Sequence, residues 1–290
     1  MIVYPDSLGS NLRELGDFLR ANLKGVITGV HILPFYPSSG DRGFAPIDYF
    51  RVSDEFGTWE DLKGISDNFE VTADFMLNHI SSSSEFFQDY LKKGSSSEYA
   101  DLFLRYSKIW PGGDPPREDL EKIYTRKPRA PFIEIELPEG IREKIWCTFD
   151  EDQIDLNLES PKARDIIARY IRFLCGKGIR VLRLDAFAYT TKKPGTRCFF
   201  NEPEVWEHLE FIRNITAPFN VQLLPEVHEH YSMQLALAQR GYWVYDFALP
   251  LLVLQGLYSG TARNLKNWLR LAPKNQFTTL DTHDGIGVVD

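Results

Sequence analysis

The sequence predicts an α/β protein built as a (β/α)8 TIM-type barrel, truncated after its seventh strand, with an inserted subdomain after its third. Three observations lead there. Short β-branched runs alternate with amphipathic helical stretches, the pattern of a parallel sheet covered by helices. That rhythm breaks once, between Ile80 and Gln153, in a stretch rich in Ser, Pro, Gly and charge. Carboxylates and histidines recur at the ends of predicted strands, where barrels of this type carry their chemistry. A doubly wound sheet is the alternative, but the first strand is not followed by the glycine-rich phosphate fingerprint of that fold.

The elements follow in order. Ile2 to Tyr4 is a short first strand. Ser10 or Asn11 caps a helix whose Leu12, Leu15, Phe18 and Leu19 keep helical spacing. Gly29 to Leu33 is the second strand, ended by Pro34. A helix from Thr58 to about Phe69 leads to a third strand, Val71 to Leu77, closed by Asn78 and His79. A featureless loop from 80 to 153 does not fit a compact domain, and its interspersed Phe, Tyr and Trp argue for packing, so it reads as an inserted subdomain. Residues 1–79 and 154–290 are assigned to the barrel, and 80–153 to the insert.

The rhythm resumes at Ser160-Pro161, an N-cap and first-turn pair. The helix that follows has Ile166, Ile167, Tyr170, Ile171 and Leu174 as its apolar stripe. Gly178 then opens the fourth strand, GIRVLRLD. A helix over Glu202 to Ile215 precedes the fifth strand, Val221 to Leu224. A helix over Ser232 to Arg240 precedes the sixth, Tyr242 to Phe247. The seventh is Phe277 to Leu280. The open barrel this implies leaves unpaired strand edges and exposed apolar surface.

Composition excludes several classes. Hydrophobic residues make up 43% and charged residues 26%, as in ordinary globular proteins. A net charge of -8 argues against nucleic acid and anionic membrane surfaces. No apolar run approaches the length of a membrane span, and MIVYPDSLGS lacks the features of a signal peptide. Cys147, Cys175 and Cys198 are odd in number and match no metal spacing, which fits a reducing, cytoplasmic setting without disulfides. Neither a metal nor an organic cofactor is expected. Thirteen Tyr, 20 Phe and 6 Trp are the aromatic supply of a sugar site, although most will be core.

The chemistry centres on the fourth strand. Side chains alternate along it, so Val181, Arg183 and Asp185 share one face and Leu182 and Leu184 the other. An arginine and an aspartate on a buried strand are costly unless paired or given a task, and a structural ion pair is one reading. Two more carboxylates tip the balance: Glu226 after the fifth strand and Asp284 after the seventh. His79, His228 and His283 stand at the ends of the third, fifth and seventh. One polar strand end is ordinarily only solvated; three carboxylates at three ends point to catalysis.

The runs DFMLNH, GIRVLRLDAFAY, LLPEVH and TTLDTHD resemble the ordered strand-end motifs of the α-amylase superfamily, glycoside hydrolase family 13. GVHILPFYPSSGDRGFAPIDY, YDFALP and DTHDGIGV are similar to its sucrose phosphorylase branch, the SSGDRGFAP loop more to its sucrose 6'-phosphate members. The resemblance implies a retaining glucosyl transfer from sucrose or a sucrose-like glucoside to inorganic phosphate, without a cofactor. It leaves as alternatives sucrose 6'-phosphate, glucosylglycerol or glucosylglycerate as donor, hydrolysis or transglucosylation, and a non-catalytic fragment. It implies Asp185 as nucleophile, Glu226 as general acid/base and Asp284 as the stabiliser that binds sugar hydroxyls. Arg183 would keep Asp185 ionised, and Asp48, His79 and His283 would bind the ring. Phe149, Gln153, Tyr189 and His228 would shape the ring and acceptor sites, and Arg126 would contact phosphate. An eighth barrel unit and a C-terminal β domain, both implied by the family, are absent. Related amylases carry calcium in the insert, but no loop here has its ligand spacing. A retaining mechanism needs two carboxyls about 5 Å apart, one charged and one holding a proton.

Overall fold

The computed structural model describes residues 1–138 and 140–286; Glu139 of the insert, and the last positions of the barrel assignment and of the DTHDGIGV run from Gly287, lie outside the described residues. Five parallel strands form one sheet in chain order: β1 (Ile2–Val3), β2 (Gly29–Ile32), β3 (Glu70–Met76), β4 (Ile179–Asp185) and β5 (Gln222–Pro225). Two further strands, β6 (Val244–Tyr245) and β7 (Gln276–Phe277), pair in parallel with each other. The Trp243 N–H donates to the Leu223 carbonyl at 3.2 Å and links the two sets. Val71, Ala73, Phe75, Leu182 and Leu184 are buried, as expected of strands covered on both faces.

The helices form where the sequence places them. Helix α1 (Leu12–Asn22) is capped by Asn11, whose side chain accepts the Glu14 N–H at 3.1 Å. Helix α2 (Trp59–Ser66) begins with a capping box between Thr58 and Asp61. Before α3 (Pro161–Cys175) the Ser160 hydroxyl makes no cap bond, contrary to expectation. Pro161 alone eases that start, because it has no N–H to leave unpaired. Helices α4 (Glu204–Thr216), α5 (Tyr231–Gln239), α6 (Ala248–Ser259) and α7 (Arg263–Leu271) follow, and three further helices, Glu85–Lys93, Tyr106–Ile109 and Arg117–Lys122, lie between β3 and β4. Gly178, at the entry to β4, has φ +87, and a Cβ there would stand 2.7 Å from the Ser66 hydroxyl.

The sixth and seventh strands are shorter than the periodicity predicts. The Asp246 carboxylate accepts the Leu249 N–H at 3.0 Å and turns the chain into α6. After Phe277, bonds among Thr279, Asp281 and Thr282 replace a ladder. On this side α6 and α7 expose Leu257, Tyr258, Leu269 and Leu271.

Between β3 and β4, His79–Ser81 pairs antiparallel with Gln153–Asp155, so this excursion leaves and returns at one place. It carries a hairpin, Phe132–Glu136 with Arg142–Trp146. Tyr106, Trp110, Ile123 and Trp146 form a small core of their own with Cys198. Lys192, from the loop after β4, is buried against this excursion. Its ammonium lies 2.8 Å from Asp155 Oδ2 and 3.1 Å from Asn78 Oδ1, and it also bonds the Tyr189 carbonyl. Among the described residues no helix is long and apolar enough to cross a membrane.

Candidate active site

Arg183 is the hub. It lies mid-way along β4, opposite Asp74 of β3, and its side chain is buried. Nη1 contacts Asp74 and lies 3.1 Å from Asp185, while Nη2 lies 2.6 Å from Glu226. Asp74 is held from its other side by His31 Nε2 at 2.8 Å. One guanidinium therefore gathers carboxylates from the ends of β4 and β5 and from within β3. Asp185 is followed directly by Ala186 at φ 53, a left-handed conformation costing a non-glycine residue about 1–2 kcal/mol. The chain thus leaves the strand sharply at the candidate nucleophile.

Three carboxylates against one guanidinium cannot all stay charged in a buried site. For Asp74 burial opposes the charge, but His31 and Arg183 outweigh it and hold the carboxyl below its ordinary range. Burial pushes Asp185 well above the usual carboxylate range; Arg183 opposes this, and the neighbouring charges of Glu226 and Asp74 add to it. Burial also works to raise Glu226, but Arg183 and then His228 outweigh it and hold it low. Asp185 and Glu226 meet on the same guanidinium, where burial and the facing charges push Asp185 up while Arg183 holds Glu226 down.

These directions run opposite to what the expected roles, Asp185 ionised by Arg183 and Glu226 protonated, would show in the free protein. The reason is geometric. Glu226 takes the shorter contact to the guanidinium, 2.6 Å against 3.1 Å for Asp185. It also has a second partner in His228 Nε2 at 3.2 Å.

Asp284 joins the group from the end of the chain. It is 58% exposed, and its carboxylate, that of Glu226 and the His228 imidazole present ligand atoms within 4.8 Å of one another. A divalent cation could be spanned by such a set, but it would stand against the guanidinium already bonded to Glu226. His283 lies 3.4 Å from Asp284, and burial, then Arg183, lowers its pKa. Its ring stacks on Phe44 at 5.0 Å and 7°. His228 stacks on Phe247 at 4.0 Å.

The remaining predicted residues divide. His79 is buried, and its Nε2 bonds the Phe44 carbonyl at 2.8 Å. The Phe149 ring stands edge-on to His79 and to Tyr189, at 5.4 and 5.2 Å, so these three form one wall. Arg126 is exposed; its Nη1 donates to the Tyr124 hydroxyl at 3.3 Å, within the electrostatic reach of Tyr189 and Glu226.

Gln153 and Asp48 are engaged with other parts of the protein. Gln153 is buried. Its amide nitrogen donates to the Phe44 carbonyl at 2.9 Å, and its oxygen accepts the Asp150 N–H at 2.8 Å. Asp48 is not brought to the hub. Its oxygens take the Phe50 N–H at 3.0 Å and Arg51 Nε at 3.2 Å, and it bonds Tyr170 of the covering helix α3.

Asp74, His31 and Phe44 were missed. A lone Asp in VTADFM and a lone His in GVHIL were the available signals, each a polar residue inside an apolar strand. Phe44 carried none, because its carbonyl does as much as its ring.

The sucrose phosphorylase of Streptococcus mutans is 49% identical over all of this chain and 60% of its own length. The glucosylglycerol phosphorylase of Marinobacter adhaerens is 44% identical, again over all of this chain and 60% of that protein. The crystal structure of sucrose 6F-phosphate phosphorylase from Thermoanaerobacter thermosaccharolyticum superimposes with a TM-score of 0.96 at 45% identity, covering 99% of this chain and 59% of that one. The chain thus spans about 60% of the length of these relatives. The barrel is that of an alpha-amylase catalytic domain: the family model of that domain matches residues 22–243, and the chain belongs to the alpha-amylase family.

Proposed function

We propose that this chain carries the catalytic carboxylates of a retaining glucoside phosphorylase, which transfers a glucosyl unit from sucrose or a related glucoside to inorganic phosphate. The observation that carries the reading is the Asp185–Glu226 pair held by separate nitrogens of a single guanidinium, at 3.1 and 2.6 Å. A double displacement needs one carboxylate bare to attack the anomeric carbon and one acid to protonate the leaving oxygen. In the reacting complex Asp185 is the bare carboxylate and Glu226 holds the proton. Arg183 touches both groups through separate nitrogens, so it stays in place while the charge changes sides. The glycosidic C–O bond then breaks, the glucosyl carbon bonds to an Asp185 oxygen, and the proton leaves with the released alcohol. In the second half a phosphate oxygen attacks the same carbon, the bond to the Asp185 oxygen breaks and frees its carboxylate, and Glu226 takes up the phosphate's proton. Asp284 and the histidines hold ring hydroxyls, and the Phe149 and Tyr189 rings form the sugar platform.

Two facts support phosphate as acceptor. Relatives at 44–49% identity are phosphorylases. Among the described residues Arg126, at the mouth, has no carboxylate partner. The relatives named for sucrose, sucrose 6F-phosphate and glucosylglycerol make these the donor candidates. We also place the protein in the cytoplasm, in keeping with three buried free cysteines, and expect no nucleic-acid partner at this net charge.

The test is release of glucose 1-phosphate from each donor, with and without inorganic phosphate, by this chain and by a version extended to the length of the relatives. Phosphate-dependent release that Asp185→Asn removes is expected. Turnover that persists in that variant, or that ignores phosphate, rejects the proposal.

A further inference from the structure

One buried ammonium, that of Lys192, is tied to all three members of the wall formed by His79, Phe149 and Tyr189. It contacts the carbonyl of Tyr189 itself. It donates to Asn78 Oδ1 at 3.1 Å, and Asn78 is the chain neighbour of His79. It lies 2.8 Å from Asp155 Oδ2, and Asp155 in turn accepts the N–H of Thr148, the neighbour of Phe149, at 2.9 Å. The Trp146 ring completes the surroundings, with its centroid 5.2 Å from the same nitrogen and its Nε1 donating to the Thr148 hydroxyl at 3.1 Å. An ammonium has three N–H donors and no acceptor, so these three oxygens use it fully. The Asn78 amide nitrogen has no partner among the described residues, so the ammonium is what holds that side chain. The ladder that pairs His79 with Asp155 already joins two parts of the wall. Tyr189 lies outside that ladder, and Lys192 brings it there.

We infer that Lys192 is a positioning residue, whose ammonium sets the spacing of the His79–Phe149–Tyr189 wall and through it the fit of a glucosyl ring. This is separate from holding the fold together. The ion pair with Asp155 serves stability, whereas the contacts to Asn78 and to the Tyr189 carbonyl fix where the wall stands. A buried donor set with no spare partner has one arrangement, and residues joined to it share that arrangement. The inference deepens the phosphorylase reading and rests on it for the identity of the sugar.

The experiment separates positioning from stability. Glucose is titrated calorimetrically into the unsubstituted chain and into the double variant Lys192→Met/Asp155→Asn, in which neither charge is left stranded. Thermal melts check both folds, and crystal structures of both give the ring spacings. The folded double variant should bind glucose about tenfold more weakly, the order of one lost sugar contact. Its Phe149 ring should leave the 5.4 and 5.2 Å spacings to His79 and Tyr189. A residue needed only for stability would leave the affinity of the folded double variant unchanged; that result, or unmoved rings, overturns the inference. Asn78→Ala keeps the Lys192–Asp155 pair and is the second variant should the double one not fold. A glucose affinity there within about twofold of the unsubstituted chain overturns it as well. If the unsubstituted chain binds no glucose, the sugar reading of the site fails, while the ring spacings still decide the role of Lys192.

Discussion

Lys192→Met should unfasten the 79–155 excursion from the loop that follows Asp185. The Lys192 side chain is 1% exposed and that of Asp155 is fully buried, and their charged atoms lie 2.8 Å apart. Asp155 also accepts the Thr148 N–H at 2.9 Å and the Thr148 hydroxyl at 2.5 Å. Those neutral bonds do not cancel a buried charge once the ammonium is gone. Removing one partner of a buried pair costs about 3–5 kcal/mol. At about 2–4 °C per kcal/mol for domains of this size, the melting temperature should fall by roughly 6–20 °C. Asp155→Asn in the same chain removes the stranded charge, so the double variant should be more stable than the sum of the two losses. The assay is a thermal melt of all four proteins by circular dichroism. A loss below about 1 kcal/mol for Lys192→Met, or strict additivity in the double variant, would refute the argument that this ion pair fastens the excursion.

Further outcomes follow from the same charges. Asp185→Asn should gain stability relative to the unsubstituted chain as pH rises. A carboxyl whose folded pKa is raised stabilises the fold below its unfolded pKa of about 3.9 and loses that contribution as pH climbs to the folded value. Melts across the acidic to neutral range check this, and a pH-independent difference dismisses it. His208 runs the other way: burial, the largest effect, lowers its pKa, so it stabilises the fold above about 6.5 and less as pH falls below that. His208→Gln should flatten the slope just below that pH in the same melts. Gly43→Ala should cost about 1–3 kcal/mol, because Gly43 sits at φ +99 and a Cβ would stand 2.7 Å from Pro34 Cβ. Chemical denaturation measures that loss, and an unchanged midpoint contradicts it.

The order of strands and helices was legible because each short apolar run is bounded by a residue with a local task, such as Asn11, Thr58, Pro161 or Gly178. The pairing of Arg183 with Asp185 was legible too, since alternation alone puts them on one face. The register that sets Asp74 opposite Arg183 was not. It is fixed by how β3 and β4 slide against each other, and more than a hundred residues separate them in the chain. The surroundings of Asp48 were not legible for the same reason: Tyr170, beside it, arrives from a distant helix. Which carboxylate takes the shorter contact to Arg183 lay furthest from reach. It turns on half an ångström between two contacts to one guanidinium, and residue identities carry no such information.

Phe44 joins parts of the site that arrive from distant places. Its carbonyl receives both His79 and Gln153, and its ring lies against His283 and beneath Arg183. The loop bearing it therefore works as a keystone: histidines from two strand ends and the guanidinium share one abutment. Specificity cannot be retuned here one position at a time. A substitution that tilts this ring shifts the proposed sugar contacts and the charge balance together, and a second change at His79 or His283 meets a site already displaced. Variants selected around this loop should arise as linked sets, with single steps between them that are individually poor.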